Sequence, residues 1–281
     1  MNMKQYFIVC CGLGFALSLS SCVKDDLYNT PHPDKGAVVV ATDWSGKSAE
    51  ADIPQEHILR IGNIEQAVSG TVHVFQALLL PGSHELTAYN TPEGISVSGN
   101  TASVGDAGNG QIDPQPGYLF AAHRPLTVVA DDTLHVTAAM RQYVRRLDIE
   151  LKVSEGDYAR VSSAVATLSG VSSAIDITTG ERAATGVVAF MPFVQEADRF
   201  TLFFRLLGIA SGTRQSLTVD ITFSNGDTQR VESDLSEVLK DFNASTAPLK
   251  LTGDLRLPVE GGFTGSIEGW KETDGGDTEA H

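Results

Sequence analysis

From Ala37 onward the chain is written in short runs of Val, Ile, Leu and Thr, divided by Gly, Asn, Asp and Pro. Runs of that length between turn formers are strands. In the first half they cover residues 37–44, 57–61, 71–79, 84–89, 126–130 and 134–140. The next run, 143–153, alternates most cleanly, with Leu147, Ile149, Leu151 and Val153 on one face and Arg146, Asp148, Glu150 and Lys152 on the other. One dry and one wet face is what a half-buried strand requires. The same period of two recurs in Phe200, Leu202, Phe204 and Leu206, in Leu217, Val219, Ile221 and Phe223, and in Leu249, Leu251, Leu255 and Leu257. The pattern predicts an all-β protein of two-layer sandwiches. Ser224-Asn225-Gly226-Asp227 predicts a hairpin with a type I′ turn, because Asn-Gly tolerates positive φ.

One helix interrupts this pattern, predicted from Asp234 to about Phe242, with Asp234 and Glu237 as a capping box and Leu235, Val238, Leu239 and Phe242 on one side. The period also sets a boundary near residues 140–143. It separates a block of 36–141 from one of 142–270, each with strands enough for a sandwich. After Pro258 come Gly-rich sequence with isolated Phe263, Ile267 and Trp270, then a polar end, 271–281, expected to be disordered.

The first residues follow a different rule. Residues 6–19 form an apolar run behind a single positive charge, Lys4, too short to cross a bilayer comfortably and typical of a secretion signal. It ends in Leu19-Ser20-Ser21-Cys22, where small residues admit a signal peptidase and Cys22 stands where bacterial lipoproteins are acylated. Residues 1–21 are thus expected to be removed by cleavage between Ser21 and Cys22, and Cys22 to carry lipid. A linker, 22–35, with Asp25, Asp26, Pro31 and Pro33, would join that lipid to the fold. Cys22-Val23-Lys24-Asp25-Asp26 is similar to the signal that sends Bacteroidetes-type lipoproteins to the outer face of the outer membrane.

Composition narrows the function. The 281 residues carry a formal charge of −15, which becomes −16 once the signal and its one lysine are gone. Such a body repels phosphate backbones, which argues against nucleic acid as a partner. Cys10 and Cys11 lie in the signal and Cys22 is spent on lipid, so the body has no thiol for disulfides, catalysis or zinc. Its stability must come from packing.

No reactive constellation stands out. The seven histidines are scattered, with no HExxH and no pair at clear ligand spacing, and no metal or cofactor is expected. Residues 105–110 superficially resemble a phosphate loop but lack the Lys-Ser/Thr ending, and 274–277 lack the acidic series of a calcium loop. There is no GxSxG elbow, and no pair of carboxylates has assignable acid and base roles. A non-enzymatic protein is expected. Asn243-Ala244-Ser245 matches a glycosylation sequon and Asp132-Thr133-Leu134 a short O-glycosylation acceptor, though the first also suits a helix end. Trp44 follows an apolar strand and is expected to pack in the core, with subunit contact as the alternative; for Trp270 the two roles stand level.

Several phrases, in their order along the chain, carry a family likeness. They are 38–44 after an extended linker, Leu80-Pro81-Gly82-Ser83-His84-Glu85-Leu86 leading to Tyr89-Asn90, Gly117-Tyr118-Leu119-Phe120, Arg145-Arg146-Leu147-Asp148-Ile149, Leu168-Ser169-Gly170-Val171, Asp241-Phe242-Asn243 and Gly269-Trp270. With the lipobox, they resemble the Bacteroidetes-type fimbrial anchor family, the FimB-type minor subunits of the fimbrillin superfamily. The resemblance implies two tandem transthyretin-like β-sandwiches and a lipoprotein that holds fimbrial shaft or accessory subunits at the outer membrane. In shaft-forming relatives, a protease cuts after a basic residue and removes the first strand, leaving a groove that a neighbour's strand fills. Here the basic residues near that strand are Lys35, Lys47 and Arg60, none in an obvious cleavage motif. An anchor therefore fits better than a shaft subunit, with the first strand, Trp44, Phe263, Ile267 and Trp270 as candidate subunit contacts. The alternatives are a tip or accessory subunit and a glycan-binding surface lipoprotein.

Overall fold

In the computed structural model, which describes residues 34–258 and 265–273, the predicted runs are strands whose side chains alternate between a core and the surface. The first half contributes β1 (Ala37–Asp43), β2 (His57–Ile61), β3 (Ile64–Val68), β4 (Val72–Val74), β5 (Gly82–Tyr89), β6 (Ile95–Ser98), β7 (Thr101–Val104), β8 (Asp106–Gly108), β9 (Gln111–Ile112), β10 (Phe120–Val128), β11 (Thr133–Ala139) and β12 (Arg141–Gln142). Eight of them form two sheets, β11-β1-β4 and β12-β10-β5-β2-β3. Both supply the core that holds Val38, Val40, Leu59, Leu86, Phe120 and Met140. β8 and β9 pair with each other, which makes the glycine-rich 105–110 a hairpin.

The second half contributes β13 (Arg145–Glu155), β14 (Val161–Asp176), β15 (Arg182–Val187), β16 (Met191–Pro192), β17 (Val194–Glu196), β18 (Arg199–Leu206), β19 (Ser216–Phe223), β20 (Thr228–Asp234), β21 (Leu249–Arg256) and β22 (Ser266–Thr273). Leu147, Ile149 and Leu151 of β13 are buried against Phe200, Phe204, Leu217, Val219 and Leu251. Each such side chain contributes about 1.5–3 kcal/mol by leaving water. The wet face of β13 is organised as well: Arg146 is bonded to Asp148, and Glu150 lies 3.0 Å from both Arg199 and Lys250.

The two halves share an arrangement. β1 runs parallel to β11, and β13 runs parallel to β21, so in each half an early strand lies beside a late one. They also share a sheet, because β7 pairs with β14 in the order β20-β19-β14-β7-β6. A third core of Tyr89, Ile95, Leu119, Tyr143, Val144, Ile175 and Leu207 draws on both.

Three local readings need correction. The run 71–79 is a strand only at Val72–Val74; beyond it, Phe75 N donates to Val38 O and Leu79 exchanges two bonds with Gly36, so pairing with β1 resumes after an irregular stretch. The predicted helix shrinks to α1 (Ser236–Leu239) and a 3₁₀ turn at Phe242–Ala244. Asp234 still pairs with Ser216 in the ladder, so the helix starts after it and the capping box does not form; Asp234 Oδ1 accepts from Ser236 N and Oγ instead. The 224–227 hairpin is not type I′, since Gly226 has φ +89° but Asn225 is not left-handed. Gly226 N donates to Phe223 O and Phe223 N to Asp227 O, which is a three-residue loop closed by a glycine in the left-handed region.

Candidate functional site

β1 is the strand on which a fimbrial role would turn, and it lies between two neighbours. Its register with β11 runs from Ala37↔Thr133 to Asp43↔Ala139, and with β4 from Val39↔Val74 to Ala41↔Val72. Bonds beyond the ladder extend the seam at both ends: Gly36 with Leu79, Ala37 N with Asp132 O, Thr42 N with Thr71 O, and Met140 N with Asp43 O, each at 2.8–2.9 Å. Val38 and Val40 are fully buried beneath it and Thr42 nearly so. Gly36 has no room for a side chain, because a Cβ there would stand 2.3 Å from Val129 O. A groove emptied of β1 would expose the Val38 and Val40 slots and one open edge on each of β11 and β4.

The three basic residues differ in their surroundings. Lys35 is exposed just before β1. Lys47 is half-buried, with Nζ donating to Ala51 O at 2.8 Å. Arg60 sits in β2, paired on both sides by β3 and β5, and its guanidinium donates to Gly99 O and Asn100 Oδ1. A protease needs extended backbone free of partners, which Arg60 does not offer.

Trp44 is spent inside the first core rather than on a partner. Its ring meets His57 and Phe120 edge-on at 5.5 and 5.4 Å, and its Nε1 donates to Thr42 Oγ1 at 3.0 Å. His57 in turn lies 5.1 Å from His73, a pair the linear spacing did not reveal. Burial and the neighbouring His73 push the His57 pKa down to about 4, and neither of its ring nitrogens has a partner. The folded state therefore keeps His57 neutral while the unfolded chain takes a proton near the ordinary 6.5. Stability from this residue is complete above that pH and falls as pH drops towards 4, by on the order of 3 kcal/mol. Urea unfolding between pH 7 and 4 should show that loss in the wild type and not in His57→Phe; equal losses in both would refute it.

On the β1 and β4 side the outer face of the β11-β1-β4 sheet is apolar and open, while β11 adds the exposed Thr133, His135 and Thr137. Val72 and Val74 are 65% and 66% exposed, and Leu78, Leu80 and Val129 are exposed beside them. Val39 and Ala41 face the same way by register. Leu78 and Leu80 flank Leu79, which bonds Gly36, and Val129 O touches Gly36, so the patch reaches the place where the chain leads into β1. The free edge of β4 is covered in part: Gln66 Nε2 donates to Val74 O, Gln66 Oε1 accepts from Gln76 N, and Gln76 Nε2 donates to Glu65 O. What stands open is the face more than the edge. The signal was in the sequence, since 72–80 carries apolar residues in both phases of the alternation, more than one buried face can take.

Of the other candidates, Ser21, Cys22 and Phe263 lie outside the described residues. Ile267 is buried in the second core. Trp270 is half-buried on β22, over Gly253, where a Cβ would come within 3.1 Å of its ring, and its Nε1 donates to Ser233 Oγ at 2.7 Å. β22 continues to Thr273, three residues into the stretch expected to be a disordered end. Asn243 of the sequon clamps Ile209, its Oδ1 accepting from the amide and its Nδ2 donating to the carbonyl, both at 2.9 Å. Among the described residues no three His, Cys, Asp or Glu side chains gather as a metal site, and no helix is long and apolar enough to cross a membrane.

A family model described as fimbrillin-A associated anchor proteins Mfa1 and Mfa2 matches residues 65–274. Among solved structures, the fold is similar to the fimbrial anchor protein Mfa2 from Porphyromonas gingivalis, at 13% identity and a TM-score of 0.60, covering 85% of this chain and 97% of that one. A candidate adhesin from Bacteroides ovatus aligns at 13% identity and a TM-score of 0.59 over 87% and 95% of the two chains. Candidate polysaccharide-binding proteins from Bacteroides thetaiotaomicron align at 11% and 0.56 over 86% and 98%. No curated protein matches the sequence.

Proposed function

The chain belongs to the family of fimbrillin-A associated anchor proteins Mfa1 and Mfa2, and we propose that it is the lipidated subunit that holds a fimbria to the outer membrane. A structural, fimbria-related role at the cell surface follows from the family itself. The finer reading is that Cys22 carries the lipid, β1 stays covalently joined to it, and the open apolar face receives a fimbrial subunit.

One observation supports this above the others: β1 is bonded along both edges and fills its own groove. A shaft subunit works by vacating that groove, whereas an anchor must keep the strand, because the strand is the link between lipid and fold. The apolar face beside it supplies a contact surface that needs no strand removal. Its exposed valines would be desolvated by a partner, which favours association in proportion to area.

Val72 and Val74 are open enough that V72D/V74D should leave the fold intact and yet put charge into the contact. Pull-down from native outer membranes should recover fimbrial subunits with the wild type and lose at least about tenfold with the variant, as expected when charge enters an apolar contact centre. Full recovery with a folded variant would move the contact elsewhere on the molecule. Absence of fimbrial subunits from the wild-type pull-down would overturn the anchor reading.

A further inference from the structure

The segment that joins the two halves holds an arrangement that fimbrial anchoring does not use. Arg141, Tyr143 and Arg145 from this segment, Arg182 from β15 and Asn243 line a small cleft of about 70 Å³. Among the described residues, none of these three arginines has a carboxylate within 4.0 Å. In a chain of formal charge −15, three arginines gathered without a paired carboxylate are an imbalance that calls for an explanation, although the charge of Glu272 reaches Arg145.

The guanidiniums are not equivalent. Arg145 is buried and committed: it donates to Ala247 O and Phe242 O and lies over the Phe242 ring. Arg182 is half-buried and donates only Nε, to Leu207 O at 3.3 Å, so among the described residues neither terminal amino group has a protein acceptor. Arg141 is exposed, lies 5.2 Å from the centre of the Tyr143 ring, and its side chain has no hydrogen bond among the described residues. Among the described residues the Tyr143 hydroxyl is also unbonded, and it and Arg141 Nη1 both stand 3.7 Å from where a Cβ of Gly180 would be. Asp176 is the acid whose charge reaches Tyr143, but its Oδ1 already accepts from Thr178 N, Thr178 Oγ1 and Thr179 N. Burial holds Arg182 below its ordinary pKa, and the charge of Arg141 adds to that effect.

The geometry points to a binding site for one oxyanion, a phosphate or carboxylate group, held by Arg141 and the free amino groups of Arg182 with the Tyr143 hydroxyl as a third donor. Planar guanidiniums match two-oxygen groups in a paired fashion, and an anion between two like charges removes their mutual repulsion. The cleft admits one such group and no sugar ring, so a larger ligand would present its anionic substituent there. Because Arg141 stands on the last strand of the first half and Arg182 on a strand of the second, the bound group would bridge the halves.

Thermal unfolding of the mature chain, made as Cys22→Ser to dispense with detergent, tests this at constant ionic strength in chloride, inorganic phosphate or glucuronate. The midpoint should rise by roughly 5 °C at saturation with phosphate, glucuronate or both, relative to chloride. A rise with phosphate alone identifies a phosphoryl source, and a rise with glucuronate alone a carboxylate source. Arg141→Gln, at an exposed position that should fold normally, is expected to weaken the midpoint's concentration dependence at least tenfold and to raise the midpoint in chloride, since it removes a like charge beside Arg182. No rise in the wild type, or the same rise in Arg141→Gln, overturns the site.

Discussion

Replacing Ile149 with aspartate is expected to abolish cooperative folding of the second half. Ile149 is 1% exposed and sits opposite Leu202 on one side and Leu251 on the other, so a carboxylate there has neither water nor a cation on its face of the sheet. A buried unpaired acid, added to the lost packing of the side chain, costs about 5 kcal/mol. Whole domains are stable by only about 5–15 kcal/mol, so little would remain. The neighbouring Glu150→Gln makes the contrast: it faces the other way and loses ion pairs with Arg199 and Lys250, at a cost of about 1 kcal/mol. Equilibrium denaturation followed by circular dichroism reads both variants. A midpoint for Ile149→Asp as high as that of Glu150→Gln would show that β13 is not the centre of the second core.

The reason β13 was legible and β4 was not lies in how each meets its surroundings. Along β13 one phase is apolar and the other charged, and the structure uses the two phases as written. In 71–79 both phases carry large apolar residues, so the period could not say which face is covered, and the structure buries His73, Phe75 and Leu79 while leaving Val72, Val74 and Leu78 open. The helix was overextended for a related reason. Asp234 is a good cap in isolation, but its backbone is held by a ladder whose partner, Ser216, lies 18 positions away in sequence. For Trp270 packing and subunit contact stand level in the sequence because glycines surround it; in the fold the adjacent Gly269 takes a left-handed φ, and Gly253 on the partner strand makes room for the indole. The arginines of the cleft come from positions 141, 145 and 182, and no local pattern links them. Cys22 is an expectation from the sequence alone, read from a short linear stretch that lies outside the described residues.

Removal of the thiol proposed to carry the lipid is expected to have the second large effect. Cys22→Ser should leave both halves folded, since none of the described packing involves that residue, and should move essentially all of the protein from the outer membrane to the medium together with any fimbriae it holds. Stable anchoring requires more than one acyl chain, and a body of formal charge −16 gains little from anionic head groups. A variant that stays in the membrane fraction would mean that something other than lipid holds it.

The anchor mechanism depends on one covalent path from lipid to fold, through residues 22–35 into β1. Intact-mass measurement of the protein extracted from native outer membranes reads that path directly. A mass for a chain that starts at acylated Cys22 and includes β1 is the predicted result. A mass for an unlipidated chain starting after Lys35, Lys47 or Arg60 would contradict it and make the protein a polymerising subunit.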